Sequence, residues 1–493
     1  MAETTEETLD AEQVQAPQEK TASMSMRRAA LVQLGSKYAS IVAQLLVTAV
    51  LTRLISPAEF GTLAIVTVFT TFFTLFSDMG IGVAIVQFRD LTERDFGKLF
   101  GFSIVLAAGL TAAFCVAAFP ISVVYRDPEL VPLCMVASLS LLFATLNMVP
   151  NGIMLREKKF TQIGARLVVA TVVSGIIGIA LAVAGLGCYA LVLQSVALYL
   201  VVLVWNLVSC PIHHVSLHFK DSLSKVFSYS AFQFASSLIN YFNRNLDNLL
   251  IGYAQGSEAL GFYDKAYKLT TYPMTSFSSV IASVVQPYMA EHQDDPDVIF
   301  DCWLRMAKLC SLIGAGIATI MFCCTDQIIL IMYGDAWVAS IPLLHALSVG
   351  VYAQMVGNPT GAFFQSLGRT DLMFRCSVAN TAIMVAAILA GIASSNINLV
   401  AWFVSAAFFV QLISIGYYLL HRGFHKSIFV LERFIPEIVA GVAASIATML
   451  VARIVPQDFL IQLLTKGFTS TLVLLVLYGL TGQLTQMRKI LGR

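Results

Sequence analysis

The chain has 493 residues, of which 58% are hydrophobic and 12% are charged, and its mean hydropathy is +0.79. A soluble globular domain carries about 25% charged residues, so this chain lacks the polar residues that would cover a soluble core of its size. The formal net charge of +1 provides no basic surface for nucleic acid. These values exclude a soluble enzyme, a nucleic-acid-binding domain and a disordered scaffold, and they predict a polytopic membrane protein.

Residues 1–28 are predicted to form a disordered acidic tail. The first 25 residues contain six acidic side chains and a single basic one, Lys20. A signal peptide begins with basic residues and has a short apolar core, so this segment does not resemble one.

Fourteen apolar runs are long enough to cross a bilayer, which takes about 20 residues in a helix. Their approximate limits are 29–53, 60–87, 97–120, 130–154, 163–185, 187–209, 226–253, 258–288, 304–325, 338–366, 373–394, 397–420, 434–453 and 458–482. With both termini in the cytoplasm, 22 of the 30 Lys and Arg residues lie in the inner segments and four lie in the outer segments. The positive-inside rule therefore predicts cytoplasmic termini.

A weak internal repeat runs through the chain at an offset of about 200 to 208 residues. The matching positions are Tyr125, Asp127, Pro132 and Leu133 with Tyr333, Asp335, Pro342 and Leu343, and Glu59-Phe60-Gly61 with Ala259-Leu260-Gly261. The offset spans six predicted helices, so the two halves face the same way, as in the parallel repeats of several transporters. The predicted fold is an all-α polytopic membrane protein with about 14 helices. Its parts are an N-lobe (29–209), a cytoplasmic linker (210–225), a C-lobe (226–420), and two further helices with a short basic tail (421–493).

Short loops leave no room for a soluble catalytic domain, and no phosphate-binding loop for ATP is present. The nine cysteines show no zinc-ligand spacing. The sequence therefore predicts a transporter rather than an enzyme, with no cofactor and no metal.

Two opposite charges, Lys37 and Asp78, lie inside the first two predicted spans at similar depth. A charge at mid-bilayer costs several kcal/mol or more, so each of these side chains is expected to have a structural or functional role that offsets this cost. The two side chains either lock the helices together as a pair or couple transport to a proton or another ion.

The spans predicted at 226–253 and 258–288 carry a richer cluster of charges. Its predicted substrate-binding members are Arg244, Lys265, Lys268, Asn240 and Tyr267, and its predicted coupling or helix-pairing members are Asp247 and Asp264. Three cations against two acids give a net positive site, and Arg and Lys suit an anionic substrate, phosphate in particular. Two alternatives remain at this point, a salt-bridged helix pair and charges at the membrane interface.

Several segments resemble the polysaccharide flippases, bacterial exporters of lipid-linked sugar repeat units within the multidrug/oligosaccharidyl-lipid/polysaccharide superfamily. These segments are LDNLLIG (246–252), EALGFYDKAYKL (258–269), TRLISPAEFGTLAIV (52–66), FSDMGIGVAIVQ (76–87), GDAW (334–337) and GRTDL (368–372). The resemblance covers about 30–490 and is closest to the branch that serves colanic-acid-like exopolysaccharides.

The resemblance implies a two-lobe core of twelve helices with two further helices. Such a protein moves an undecaprenyl-diphosphate-linked oligosaccharide from the inner to the outer leaflet of the bacterial inner membrane by alternating access. A cation-lined cavity and, in some members, ion coupling are expected, and Arg244, Lys265 and Lys268 match that cavity by residue type and helix. A polymerase and glycosyltransferases of the same pathway are the expected protein partners.

Two other functions remain open at this point. A drug or metabolite:cation antiporter of the same superfamily would not require a cationic cavity. A membrane polysaccharide polymerase would be expected to place catalytic residues in a large outer loop, which this sequence lacks.

Overall fold

The computed structural model describes residues 26–78, 81–88, 90–212, 214–218, 220–290 and 295–483, although not every side chain within these ranges. All regular structure in these ranges is helical. The α-helices are α1 Met26–Leu54, α2 Pro57–Asp78, α3 Ile81–Gln87, α4 Glu93–Tyr125, α5 Leu130–Leu146, α6 Met148–Arg156, α7 Phe160–Val183, α8 Cys188–Ser209, α9 Lys220–Ala290, α10 Pro296–Cys323, α11 Thr325–Met332, α12 Ile341–Gly357, α13 Thr360–Ser366, α14 Thr370–Ala393, α15 Ile397–Ile415, α16 Ile435–Ile454 and α17 Phe459–Leu480. Short 3-10 helices span Asp335–Ser340 and Ile428–Phe434, and a π-helix spans Gly416–His421.

Twelve helical segments in the described ranges are long and apolar enough to cross a membrane, from Val32–Leu54 to Phe459–Leu480. The two predicted spans at 226–253 and 258–288 are instead the two arms of α9. Together these make about 14 membrane helices. The predicted all-α polytopic fold is confirmed.

The α9 segment is a helical hairpin rather than one long rod. Gly256 has φ 86° and ψ 175°, a conformation that only glycine adopts readily and that breaks the helix. The Tyr263 hydroxyl donates a hydrogen bond to Asp247 Oδ2 at 3.1 Å. Sixteen residues of continuous helix would separate these two positions by about 24 Å. The second arm therefore folds back along the first, and we call this end of the bundle the Gly256 end.

Proline divides two of the predicted spans. The run at 130–154 becomes α5 and α6, with Pro150 in the first turn of α6, and the run at 338–366 contains a break at Pro359 between α12 and α13. Proline has no backbone N–H and cannot continue the hydrogen bonds of the preceding helix. The third divided span, 60–87, gives α2 and α3.

Helix α9 begins at Lys220, inside the predicted linker at 210–225 and before the predicted span at 226. Hydropathy marks the hydrocarbon layer, whereas a helix can continue beyond it into water. The same reason explains α10, which begins at Pro296 and not near 304. There, Asp295 caps the helix by accepting hydrogen bonds from the backbone N–H groups of Asp297 and Val298.

Helices α1, α4, α5, α7 and α8 pack on one another, as do α10, α12, α14 and α15, and α2 packs along α9 between these two groups. Helices α16 and α17 pack on each other and on α10. A buried ion pair attaches α16 to α10: the Lys308 ammonium contacts the Glu437 carboxylate, which is fully buried. Breaking such a buried pair from one side is strongly destabilising.

Candidate substrate path

The α9 hairpin carries most of the predicted site residues. On its second arm, Lys268 Nζ lies 2.8 Å from Asp264 Oδ2, one helical turn away. The Asp264 side chain is 6% exposed and that of Lys268 is 44% exposed. The Lys268 ammonium is therefore partly accessible to solvent, although it pairs with a buried carboxylate. Asp264 holds the ammonium in place without enclosing it.

The first arm presents a second cation at the same depth. Arg244 and Lys268 are each twelve residues from Gly256, which places both about 18 Å from the Gly256 end along their arms. The Arg244 side chain is exposed and lies within electrostatic range of Tyr267. Within the described part of the chain it has no hydrogen-bond or ion-pair partner. Its guanidinium is therefore available to a ligand.

Buried aromatic and acidic groups fix the two arms relative to each other. Asp247 is 7% exposed and accepts hydrogen bonds from the Tyr263 hydroxyl and from the Asn248 backbone N–H. The Tyr263 ring stacks on Tyr267 with centroids 5.8 Å apart. Asp247 thus acts within the hairpin, where it orients the arm that carries Lys268.

Lys265 points in a different direction from Lys268. Its side chain is 6% exposed, and Nζ lies 4.0 Å from the centre of the Phe60 ring on α2. A cation over an aromatic face is attracted by the ring quadrupole. No carboxylate pairs with Lys265 among the residues that the structure describes. The structure therefore leaves Arg244 and Lys268 accessible at one depth and places Lys265 in the contact between α9 and α2.

That contact includes two glycines, Gly61 on α2 and Gly261 on α9. A Cβ atom on Gly61 would overlap the carbonyl oxygen of Ser257 and lie 3.0 Å from the backbone N of Gly261. A Cβ atom on Gly261 would overlap the carbonyl oxygen of Pro57 and lie 3.1 Å from the backbone N of Gly61. The helices meet backbone to backbone here, which leaves no passage between them.

Further hydrogen bonds join the same end of the bundle across the two groups of helices. Trp337 Nε1 donates to the Thr52 carbonyl oxygen at 2.9 Å, and Arg53 Nη2 donates to the Ile331 carbonyl oxygen at 2.8 Å. The Phe60 ring meets the Trp337 ring edge to face, with centroids 5.4 Å apart. The Gly256 end is therefore closed between α1–α2 and α9–α11.

The remaining predicted site residues are Lys37, Asp78 and Asn240. Lys37 Nζ donates to the Thr275 carbonyl oxygen on the second arm of α9 at 3.3 Å. The side chains of Asp78 and Asn240 lie outside the described part of the structure. The pairing of Lys37 with Asp78 thus stays a prediction.

Sequence reasoning did not single out Phe60 as the partner of Lys265, Trp337 as a link to α1, or Glu437 as a buried acid. Phe60 was visible only as part of the repeated Glu59-Phe60-Gly61 segment. Glu437 was detectable as the one acidic residue in the apolar run at 434–453. The partners of these residues lie far away in the chain, and spacing alone does not reveal them.

A family model described as polysaccharide biosynthesis protein matches residues 50–342, more than half of the chain. The chain belongs to this family. The match includes both arms of α9, and thus Arg244, Lys265 and Lys268, whereas α16 and α17 lie beyond it. The resemblance to the polysaccharide flippases is confirmed.

Two named relatives are similar to the chain over most of their length. The teichuronic acid biosynthesis protein TuaB of Bacillus subtilis (strain 168) is 26% identical over 336 residues, 68% of this chain and 69% of the relative. The lipopolysaccharide biosynthesis protein WzxC of Escherichia coli (strain K12) is 26% identical over 378 residues, 72% of this chain and 74% of the relative.

Among solved structures, the lipid II flippase MurJ in an inward closed conformation superimposes with a TM-score of 0.74. The alignment covers 93% of this chain and 99% of MurJ at 13% sequence identity. At this identity the likeness shows the fold. The polysaccharide biosynthesis protein described here therefore has a MurJ-like arrangement of membrane helices.

Proposed function

We propose that the protein flips an undecaprenyl-diphosphate-linked oligosaccharide from the cytoplasmic to the outer leaflet of the bacterial inner membrane, for surface polysaccharide export. Family membership supports the class of substrate. The observation that carries the proposal is the pair of accessible cations, Arg244 and Lys268, which lie at one depth on the two arms of a single hairpin. The protein acts as a transporter and performs no covalent chemistry on its cargo.

The chemistry of the pair suits a diphosphate. A guanidinium offers two parallel hydrogen bonds to phosphate oxygens, and an ammonium adds a compact charge. Asp264 holds Lys268 at 2.8 Å yet leaves it partly exposed, so an incoming anion does not have to displace a fully enclosed ion pair. The Tyr267 ring, within electrostatic range of Arg244, would supply a flat surface for a sugar.

Transport by alternating access is part of the proposal. The excess of basic residues in the inner segments supports cytoplasmic termini, which puts the Gly256 end at the outer face. Release to the outer leaflet then requires Gly61 to separate from Gly261 and Lys265 to leave Phe60. Once free of the ring, Lys265 joins Arg244 and Lys268 as a third cation for the anion that is leaving.

An ion gradient is the proposed energy source, because the sequence carries no ATP-binding loop. Lys37, Asp78, Asp247 and Asp264 are the candidate coupling groups. A polymerase and glycosyltransferases of the same pathway are proposed as neighbours that use or supply the lipid-linked cargo.

The test is a flipping assay with purified protein in liposomes that contain the lipid-linked oligosaccharide, with its sugar exposed to an added modifying enzyme on one side. Arg244→Gln and Lys268→Gln should each slow flipping by about tenfold or more, as expected for loss of one charged hydrogen bond. Arg94→Gln, which alters an exposed arginine at the opposite end of the bundle, is the matched control. Wild-type rates in both variants would remove these cations from the mechanism.

A cell-based experiment tests the direction of transport. Loss of the gene should leave the lipid-linked oligosaccharide on the cytoplasmic face, where an enzyme added to inverted vesicles modifies it. Accumulation on the outer face would instead place the defect after translocation and contradict the flippase function.

A further inference from the structure

Two adjoining pockets lie between α16 and the helices that it packs against. The first has a volume of about 330 Å³ and an almost wholly apolar lining from α10, α12, α15 and α16. The second, of about 270 Å³, lies at the Gly256 end and has a mixed lining with nearly equal polar and apolar surface. Phe322 and Met449 line both pockets, so the two pockets adjoin. We refer to them together as the groove, with the first pocket as its apolar part and the second as its polar part.

The polar part contains two cations and one acid. Lys466 Nζ donates to Gln327 Oε1 at 3.3 Å and lies 3.8 Å from Asp326 Oδ2, a long ion-pair distance. Arg453 lies one residue from the end of α16, and in the described ranges it has no hydrogen-bond or ion-pair partner. With Asp326 ionised, Arg453 and Lys466 leave this pocket with a net single positive charge.

Hydrogen bonds and a ring contact hold the side chains that line the polar pocket in place. The Gln462 side chain is 4% exposed, and its amide donates to the carbonyl oxygens of Ala452, Val455 and Pro456 at the end of α16. The His345 ring lies against Phe322, with centroids 3.9 Å apart. Arg453 thus lies at the mouth of a formed cavity.

The apolar part runs along α16 from Met449 to Glu437. Twelve residues of helix correspond to about 18 Å, a length suited to one acyl chain. The Glu437 carboxylate at the far end is neutralised by Lys308, so a hydrocarbon chain that reaches it meets no net charge.

We propose that this groove binds one anionic phospholipid of the outer leaflet. Its phosphodiester lies between Arg453 and Lys466, and an acyl chain follows α16 towards Glu437. Basic residues at the ends of membrane helices lie at headgroup depth, where they attract phosphate. A net single positive charge matches one phosphodiester, whereas the diphosphate of the transported lipid would bring a second negative charge. Arg453, Lys466 and α16 lie beyond residues 50–342, the range that the family model matches, and the proposal does not depend on the proposed transport.

The test is native mass spectrometry of the full-length protein, released from micelles that contain equal amounts of phosphatidylglycerol and phosphatidylcholine. The wild-type protein should retain phosphatidylglycerol in preference to phosphatidylcholine. Arg453→Gln and Lys466→Gln should each reduce that retention about fivefold, the effect of one basic residue at an anionic lipid surface. Arg453→Lys should keep most of the retention. Arg126→Gln, at an exposed arginine on another loop, should not change it.

A second variant tests the acyl-chain part separately. Ser445 lines the apolar pocket, so Ser445→Phe should fill it and lower phosphatidylglycerol retention with both cations intact. Equal retention of phosphatidylcholine, or unchanged retention in Arg453→Gln, would overturn the proposal. So would retention of undecaprenyl diphosphate in place of phosphatidylglycerol, which would make the groove a cargo site.

Discussion

Gly61 and Gly261 stand 200 positions apart in the sequence, and each fits against the backbone of the other's helix. The contact is reciprocal: Gly61 faces the carbonyl oxygen of Ser257, and Gly261 faces that of Pro57. Pro57 and Ser257 are also 200 positions apart. A two-fold relation between the two halves gives such a pattern, and it agrees with the parallel repeats predicted from the sequence. Because neither residue has a side chain here, α2 and α9 close the Gly256 end completely.

Gly61→Ala should disfavour this closed state. The added Cβ overlaps the carbonyl oxygen of Ser257, and relieving such overpacking typically costs about 1–3 kcal/mol. The measurement uses a variant without native cysteines that carries Ala266→Cys at a buried position. Adding Gly61→Ala should make this cysteine react about tenfold faster with a membrane-impermeant maleimide. A tenfold change in the population of the open state corresponds to about 1.4 kcal/mol.

Gly109→Ala and Gly316→Ala are the matched controls, because a Cβ at either helical glycine meets no atom within 4 Å. Both should leave the labelling rate unchanged. An unchanged rate in Gly61→Ala as well would mean that this contact does not limit opening.

The contact between Lys265 and Phe60 should appear as a coupling free energy. In a double-mutant cycle with Lys265→Met and Phe60→Leu, we expect about 1–2 kcal/mol of coupling, the range for a desolvated cation over an aromatic ring. The free energy of unfolding in mixed micelles is the measured quantity. Additive effects of the two substitutions would show that the 4.0 Å approach of Nζ to the ring contributes no stability.

The buried pair of Lys308 and Glu437 should be more sensitive to loss of one partner than to loss of both. Lys308→Met or Glu437→Gln alone should lower the free energy of unfolding by about 3–5 kcal/mol, since a buried charge is left without its partner. The double variant Lys308→Met/Glu437→Leu should recover most of that loss. If the double variant is as unstable as the single ones, then the packing of these side chains, and not their charges, holds α16 on α10.

The predicted pair of Lys37 and Asp78 is tested by exchanging its charges. Lys37→Asp and Asp78→Lys should each lower flipping, because a single unpaired charge inside the membrane is costly. We expect the double exchange to restore flipping, as for a pair that holds two helices together. A double variant that reaches normal membrane levels without flipping would assign the two groups to ion coupling instead.

Periodicity predicted the parts of the fold that depend on local sequence. The apolar runs located the membrane helices, and the i, i+4 spacing of Asp264 and Lys268 put the two side chains on one face of a helix, where the structure pairs them. Gly256 lies between two predicted spans, and that position marked the turn of α9. In each case the information lies within a few residues of the feature.

Contacts between segments that are far apart in the chain could not be predicted from the sequence. Lys265 and Lys268 are three positions apart and were expected to act together, yet tertiary packing turns Lys265 towards Phe60 on another helix. Lys308 and Glu437 were not recognised as partners, because nothing in the spacing of two residues so far apart indicates that α10 and α16 are neighbours. The helix limits also failed where polar residues extend a helix beyond the hydrocarbon layer, as at Lys220.

The hairpin of α9 has a consequence for how cargo affinity changes during a transport cycle. Arg244, Asp247, Asp264, Lys265 and Lys268 all lie on its two arms, which the bond between Tyr263 and Asp247 fastens together. We therefore expect the backbone positions of these residues to move together when the hairpin moves. Among the five, Lys265 has its described partner on a separate element, the Phe60 ring of α2. If the α2–α9 contact opens during transport, we expect the electrostatic potential near the cargo to change mainly through this one ammonium.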